Sequence, residues 1–247
     1  MLLAHVSDTH IDGTERAAKR VDAVVAYLQG LARPVDAVLV TGDLTDHGTV
    51  AEYEELAKRL VLPYPVLMCP GNHDVREAYR QVLLGEPASS APINRVHRIG
   101  GAVFALCDSS IPDRTEGMLD DETIGWLVDV LADTAPHEPV FVAFHHPPAR
   151  LHSPFLDEIR QYGEARLAEV VVRYPQVVAL LCGHAHTAAA TTFAGRPLLV
   201  APGVASTLKF PWEPDEGLDR DSPVAIAFHV LDDERRLTTH YRFVPAF

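Results

Sequence analysis

Short apolar runs alternate with amphipathic segments along the first three quarters of the chain. Near-continuous apolarity over four to six residues is typical of strands buried on both faces, and it occurs at 2–6, 37–40, 66–69, 103–107, 140–144 and 177–182. Segments with the helical spacing of apolar residues lie between them, at 16–31, 50–60, 123–131 and 164–173. The alternation predicts a layered α/β fold whose ligands collect at the carboxyl ends of the strands.

The pattern changes to mostly β from about residue 187. Four further strands are predicted there, at 187–193, 196–201, 224–231 and 237–243. Two segments rich in Pro and Gly, 85–92 and 210–217, are predicted as surface loops that could border a pocket. Because chains of this size commonly bury one large core, we predict a single domain over 1–247 with a β-rich C-terminal part.

Composition and charge narrow the classes of function. The hydrophobic fraction of 47% is ordinary for a globular protein. A net charge of −13 would repel a phosphate backbone, which argues against stable binding to DNA, RNA or an anionic membrane. A small phosphorylated substrate stays compatible, because bound divalent cations can dominate the local field.

The expected compartment is the cytoplasm. Cys69, Cys107 and Cys182 lie far apart in or beside apolar runs, which predicts buried free thiols in a reducing environment. The first residues enter a strand-like run without a basic region or a cleavage site, so no signal peptide is predicted. No apolar stretch approaches the roughly 20 residues that span a bilayer.

Residue types that bind metals follow nearly every predicted strand of the first three quarters. Strand ends of one sheet converge in space, and a mixed set of nitrogen and oxygen donors suits Mn, Fe, Zn or Co better than Ca or Mg. The successive blocks contain Asp8 and His10, then Asp43, then Asn72, His73 and Asp74, then His145 and His146, and finally His184 and His186.

Each block has an ordinary structural explanation when it is taken alone. An Asp at a strand end is often a helix cap or a turn residue, and a single His is often a hydrogen-bonded core residue. Five blocks in order, all at strand ends, are hard to obtain in this way. Among the other polar residues, Asp12, Asp46 and His47 are interpreted as turn positions, and His5 as packed and hydrogen-bonded.

The series D-x-H, G-D, G-N-H-D, H and G-H-x-H, from Asp8 to His186, resembles the signature of the calcineurin-like metallophosphoesterase superfamily. The resemblance implies a layered β-sandwich flanked by helices, with a dinuclear metal site at the strand ends. Within the superfamily, the short intervals, the run from His145 to Pro148 and the β-rich tail resemble the bacterial class III cyclic nucleotide phosphodiesterases.

The resemblance also implies a ligand set for two divalent cations, Mn or Fe first, with Zn or Co as alternatives. One metal would be bound by Asp8, His10 and His186, the second by Asn72, His145 and His184, and Asp43 would bridge the two. His145 is preferred over His146 because related enzymes place this ligand two positions before a proline. His146 would then lie beside the ligands or in the pocket wall.

The expected reaction is hydrolysis of a small phosphodiester, most concretely a 3′,5′-cyclic nucleotide such as cAMP, by in-line attack of a metal-bridging hydroxide. His73 would stabilise the phosphoryl group or protonate the leaving alkoxide, and Asp74 would orient it. The alternatives are a further ligand or structural imidazole for His73, and a helix cap for Asp74.

Other functions stay open, since nothing in the ligand set recognises what lies beyond phosphorus. The same metal chemistry would serve 2′,3′-cyclic nucleotides, glycerophosphodiesters or phosphomonoesters. A non-catalytic binding module on the same fold is a further alternative, and a homodimer is compatible with the sequence. Phe210 and Trp212 are interpreted as packing their own loop, with stacking on a nucleobase as the alternative.

Overall fold

The computed structural model describes residues 1–215 and 217–245. Apolar strands must be shielded from water on both faces, and in this structure two sheets pack against each other while helices cover their outer faces. The strands are β1 (Leu2–Val6), β2 (Ala37–Thr41), β3 (Val66–Cys69), β4 (Arg95–Ile99), β5 (Ala102–Leu106), β6 (Gly117–Met118), β7 (Val140–Ala143), β8 (Gln161–Tyr162), β9 (Val177–Cys182), β10 (Ala189–Phe193), β11 (Arg196–Val200), β12 (Thr207–Lys209), β13 (Gly217–Asp219), β14 (Ala225–Leu231) and β15 (Leu237–Phe243).

The helices lie between the strands of the first three quarters. They are α1 (Glu15–Gln29), α2 (Val50–Arg59), α3 (Arg76–Tyr79) continued by a π-helical turn (Arg80–Leu84), α4 (Asp121–Ala132), α5 (Pro154–Glu158) and α6 (Glu164–Arg173). Thr14 caps α1 by accepting a hydrogen bond from Ala17 N, and Thr49 and Glu52 form a capping box on α2. None of these helices is long and apolar enough to cross a membrane.

Each large sheet combines parallel strands with antiparallel ones, which lie at one edge of the first sheet and at both edges of the second. The first has the order β15-β14-β1-β2-β3, with β1, β2 and β3 parallel, and the second has the order β10-β11-β9-β7-β5-β4, with β5, β7, β9 and β11 parallel. Two short ribbons, β6-β8 and β12-β13, lie outside them. The carboxyl ends of the parallel strands carry the loops of the candidate site.

Three apolar cores hold the layers together. The middle core lies between the sheets and contains Leu39 and Leu67 from the first, and Phe104, Phe141 and Leu181 from the second. The stacked rings of Phe104 and Phe141 have centroids 5.2 Å apart. The outer cores pack α1 and α2 on one sheet and α4 and α6 on the other. The predicted layered α/β fold is therefore confirmed.

The predicted strands and helices are all present, with ends that differ by at most two residues. The sequence pattern did not predict β4, the two short ribbons, α3 with its π-helical turn, or α5. Residues 85–94 are irregular, as are 210–215. Glu216 of the second predicted loop lies outside the described residues, and Gly217, predicted as the end of that loop, instead begins β13. The three cysteines are buried and free, as expected.

Candidate metal centre

The candidate centre lies where parallel strands of both sheets end. Asp8 follows β1, Asp43 follows β2, and Asn72 follows β3 in the first sheet, while His145 follows β7 and His184 follows β9 in the second. Because the two sheets pack face to face, their carboxyl ends bring these loops to one edge of the sandwich. Loop contacts join them, since Asp8 N donates to Gly42 O at 3.1 Å and Gly183 N donates to His145 O at 2.9 Å.

Glycines at three of these loops permit an unusually close approach. A Cβ at Gly42 would lie 2.5 Å from His145 Nδ1, one at Gly71 would lie 2.2 Å from Asp43 Oδ1, and one at Gly183 would lie 1.8 Å from Ser7 Oγ. No side chain fits at such distances. The glycines that precede Asp43, Asn72 and His184 are therefore required by packing around the centre.

One group of donors contains three of the predicted ligands. His10 Nε2 lies 3.1 Å from His186 Nε2, and His186 Nε2 lies 3.6 Å from Asp8 Oδ1. One donor atom from each of the three residues falls within 4.8 Å of the others. Asp8 and His186 are buried, and His10 is half-buried.

A second group lies next to the first, with Asp43 between them. His145 Nε2 is 3.2 Å from His184 Nδ1 and 3.2 Å from Asp43 Oδ2. The same Asp43 Oδ2 atom is 3.5 Å from His10 Nε2 of the first group. Asp43 thus lies between the two groups, which is the position that a bridging carboxylate requires.

Asn72 lies beside this second group, in contact with His146. Asn72 Oδ1 is 3.1 Å from His146 Nε2, and His146 Nδ1 is 2.8 Å from Ser109 Oγ. His146 also falls within the donor cluster of His145 and His184, so the structure places both adjacent histidines at the centre. The preference for His145 as the ligand stays a prediction.

In three of the histidines, the ring nitrogen that points away from the centre, Nδ1, lies within hydrogen-bond distance of an oxygen atom. His10 Nδ1 lies 2.8 Å from Asp46 Oδ1, His145 Nδ1 lies 2.7 Å from the Thr41 carbonyl, and His186 Nδ1 lies 2.8 Å from Ser206 Oγ. A carboxylate and a carbonyl only accept hydrogen bonds, so Nδ1 is the donor in His10 and His145. In their neutral form, these two rings present the Nε2 lone pair to the centre, as metal ligands do.

The charges at the centre compensate one another in the metal-free protein. Burial opposes protonation of His145, but the neighbouring Asp43 carboxylate outweighs it and raises the pKa of His145 to about 9. Burial favours the neutral form of Asp43, yet His145 holds the pKa of that carboxyl well below its usual range. Burial, together with the charge of His145, lowers the pKa of His184 to about 3. In the absence of a metal, the proton on His145 therefore lies among the lone pairs of Asp43 and His184. A divalent cation could take the place of this proton, because nitrogen and oxygen donors of this kind bind such cations.

His73 lies at the exposed side of the centre. Its backbone N donates to Asp43 Oδ1 at 2.9 Å, and its Nδ1 donates to the Asp46 carbonyl at 2.8 Å. The ring meets that of His10 edge-on, with centroids 4.6 Å apart. Because Nδ1 is used by Asp46, the Nε2 atom of His73 is the one available for proton transfer.

Asp74 has a different environment from the one expected. Its carboxylate accepts hydrogen bonds from Gly71 N at 2.8 Å, Leu44 N at 3.1 Å and the Tyr53 hydroxyl at 2.9 Å. Burial and the charge of Asp43 raise its pKa to about 6. No hydrogen bond joins Asp74 to His73 among the described residues, and the cap position of α3 is Val75. Asp74 ties two site loops together, and Asp46 makes the contact that orients His73.

The sequence interpretation missed several residues that hold the donors in place. Asp46, which was interpreted as a turn residue, contacts His10 and His73. Its position three residues after Asp43 was the available signal, because a loop that supplies one donor often supplies a supporting acceptor. Ser109 and Ser206 lie on loops whose approach to the histidines has no local sequence pattern.

A pocket of about 350 Å³ opens over the centre. His10, Asp43, Asn72, His184 and His186 are among the residues at its base. Site loops supply further lining residues such as Asp46, His73 and Ser206. The outer part of the lining comes from the residues around α1, α5 and the β12-β13 ribbon, and it includes Asp12, Arg16, Phe155, Leu156, Ile159, Leu208, Leu218 and Arg220. The predicted loops 85–92 and 210–215 do not line it, and Phe210 stacks on Trp212 with centroids 4.6 Å apart.

Comparisons with known proteins agree with this geometry. A family profile described as calcineurin-like phosphoesterase matches residues 1–188. The chain is 34% identical to a cAMP/cGMP dual specificity phosphodiesterase of Mycobacterium tuberculosis, over 83% of this chain and 68% of that one. It is 33% identical to a glycerophosphodiester phosphodiesterase of Enterobacter lignolyticus, over 93% and 86%. The structure of a dimetal phosphatase from Danio rerio has the same fold, with a TM-score of 0.74, 13% identity, and coverage of 99% and 96%.

Proposed function

The chain belongs to the calcineurin-like phosphoesterase family, and from that premise we propose that it is a metal-dependent phosphodiesterase for a small phosphodiester, in the first place a 3′,5′-cyclic nucleotide such as cAMP. One observation carries the proposal: Asp43 Oδ2 lies 3.5 Å from His10 Nε2 and 3.2 Å from His145 Nε2. A single carboxylate oxygen between two histidine groups is what a pair of cations needs.

The residues that would hold the cations are the seven predicted ligands. Asp8, His10 and His186 would bind one, Asn72, His145 and His184 the other, and Asp43 both. Two divalent cations in such a site polarise a phosphoryl oxygen and lower the pKa of a coordinated water. Manganese or iron fits the mixed nitrogen and oxygen donors, and zinc or cobalt is the alternative.

His73 is the proposed proton donor to the leaving alkoxide. The Asp46 carbonyl fixes its Nδ1–H, so the ring edge that carries Nε2 is the one that can serve the pocket. At 39% exposure its side chain can exchange protons with water, unlike the buried histidines of the centre. A group in this position gives up a proton as the phosphorus–oxygen bond breaks.

The proposal also covers the cellular compartment and the kind of partner that the protein binds. Three buried free cysteines support a reducing compartment such as the cytoplasm. The net charge of −13 argues for a small substrate rather than a nucleic acid or an anionic membrane surface. Cations at the centre would attract a small anion locally despite that charge.

A glycerophosphodiester is the second candidate substrate, because one of the two relatives above acts on that class at nearly the same identity. The donor groups contact only the phosphate in either case. Hydrolysis of 2′,3′-cyclic nucleotides or phosphomonoesters, and a non-catalytic binding role, are the further alternatives.

A substrate panel with metal analysis tests the proposal. The purified protein, loaded with Mn²⁺, is assayed on cAMP, glycerophosphoethanolamine, bis-p-nitrophenyl phosphate and p-nitrophenyl phosphate. We expect about two metal ions per chain and a preference for the diesters. Asp43→Asn should lose both metal and turnover, whereas Asp133→Asn, at the exposed C-terminal end of α4, should lose neither. Preference for the monoester, or full metal content in Asp43→Asn, would contradict the proposal.

A further inference from the structure

Two large apolar side chains are exposed at the pocket over the metal centre. Phe155 of α5 is 63% exposed and Leu218 of β13 is 47% exposed, and both line this pocket. They come from elements more than 60 residues apart in the chain. Single exposed apolar residues are ordinary, but two of them at the mouth of a candidate active site indicate a surface that a ligand covers.

Phe155 and Leu218 together form what we call the apolar wall, and each of them has a buried apolar neighbour. Leu156 and Leu208, the neighbours of the two exposed residues in helix and ribbon, are 5% and 7% exposed. Leu208 and Leu218 are cross-strand partners, and Leu208 N donates to His186 O at 3.3 Å. This hydrogen bond ties the ribbon directly to the loop of a predicted ligand.

An arginine of α1 fixes the base of the same ribbon. Arg20 donates to the Val204 carbonyl at 2.5 Å and to the Ser222 carbonyl at 2.9 Å, which brackets the ribbon on both sides. Arg16 makes a further bond to the Arg220 carbonyl at 3.2 Å. The position of Leu218 relative to the centre is therefore set before any ligand binds, which lowers the entropic cost of recognition.

The wall distinguishes between the two candidate substrate classes. If the phosphate of a substrate binds at the metal centre, the rest of the substrate lies in the pocket that Phe155 and Leu218 line. A nucleobase has an apolar π-face that can cover an aromatic ring and a leucine, whereas a glycerol arm carries hydroxyl groups that gain nothing from them. We propose that Phe155 and Leu218 form a nucleobase subsite that sets a preference for base-bearing phosphodiesters. This proposal rests on the proposed function.

Steady-state kinetics on two substrates test whether Phe155 and Leu218 form a nucleobase subsite. The ratio of kcat/KM for cAMP to kcat/KM for glycerophosphoethanolamine is measured with the Mn²⁺-loaded full chain. Phe155→Ala should lower this ratio roughly 5- to 150-fold, mainly through KM for cAMP, and Leu218→Ala should lower it by a smaller factor. Phe155→Trp should restore it. Phe243→Ala removes an aromatic ring that is 72% exposed on β15, away from the pocket, and should leave the ratio as in the wild type.

Binding distinguishes failure of the subsite from failure of the proposed function. Dissociation constants for adenosine 5′-monophosphate and ribose 5-phosphate, measured by calorimetry, isolate the contribution of the base without turnover. Tighter binding of the nucleotide that is lost in Phe155→Ala supports the subsite even if no phosphodiester is hydrolysed. Equal binding of the two compounds, or a ratio that Phe155→Ala does not change, overturns it even if the enzyme is active.

Discussion

Replacing Gly71 by alanine tests whether the candidate centre depends on the close approach of its loops. A Cβ at this position would lie 2.2 Å from Asp43 Oδ1 and 2.4 Å from Asp43 N. The backbone of Gly71 does not have a positive φ, so alanine causes no conformational strain of its own. The substitution therefore acts through its contact with Asp43, which supplies the three nearest atoms.

The size of the effect follows from the displacement that the new methyl group needs. Ordinary contacts of a Cβ begin near 3.4 Å, so the loop of Asp43 and that of Gly71 must separate by about 1 Å. Overpacking of this kind destabilises the fold by about 1–3 kcal/mol. A displacement of about 1 Å at a group that positions the reaction costs about 100-fold in rate. Most of the loss should therefore appear in metal content and turnover, while the protein still folds.

The assay measures metal ions per chain after Mn²⁺ loading, together with kcat on bis-p-nitrophenyl phosphate. Gly125→Ala is the matched control, because a Cβ at Gly125 in α4 meets nothing within 4 Å. The control should keep metal and rate and gain about 1 kcal/mol of stability, since alanine favours a helix. Full metal content and wild-type kcat in Gly71→Ala would show that Asp43 does not need its observed position.

Three other predictions test separate parts of the structure. His73→Ala should keep both metal ions and lower kcat by about 10²- to 10⁴-fold; loss of metal would instead make His73 a ligand. His186 has φ +50°, so metal-free His186→Gly should be about 1 kcal/mol more stable to urea than His186→Ala, with the opposite order at His145, whose φ is not positive; the same order at both sites would refute backbone strain. His5 and His229 are buried and lie 3.0 Å apart through Nδ1 and Nε2; burial lowers the pKa of His229 to about 3, and burial and the charge of His229 hold the pKa of His5 well below its usual value. Since the unfolded chain binds protons near pH 6.5 and the folded one does not, stability is complete above that pH and falls below it by up to about 1.4 kcal/mol per pH unit for each histidine. In urea unfolding between pH 7.5 and 5.5, His229→Gln should reduce that slope by an amount that approaches about 1.4 kcal/mol per pH unit at the acidic end, and an unchanged slope would contradict the assignment.

The parallel strands of the two sheets were predictable because both of their faces are covered. β1, β3 and β9 begin and end where the apolar runs do. β4 escaped prediction because it is an edge strand with the sequence Arg-Val-His-Arg-Ile, in which two successive polar residues break the alternation of polar and apolar residues within only five positions. α5 and the two-residue pairs of β6 and β8 are too short for any periodicity, and tertiary contacts decide them.

The donors of the candidate centre were predictable for a topological reason. Parallel strands must end at the same edge, so donor residues placed directly after them meet whatever the details of the loops. The residues that support the donors were not predictable in this way. Asp46, Ser206 and the Thr41 carbonyl meet the outer nitrogens of histidines because of how particular loops cross, and that crossing leaves no local sequence pattern.

The backbone conformation of the donors explains why Asp and His occupy these strand ends. Five predicted ligands have a positive φ: Asp8, His10, Asp43, His184 and His186. Tight turns use this left-handed conformation. Glycine would adopt it without strain but brings no donor atom, whereas Asp and His bring one and tolerate it at a cost of about 1–2 kcal/mol each. Strain repeated at one place persists where the side chains serve function rather than stability. At Asp43 and His184, which do follow a glycine, two tasks are divided: the glycine leaves room for the neighbouring loop and the next residue supplies the ligand atom.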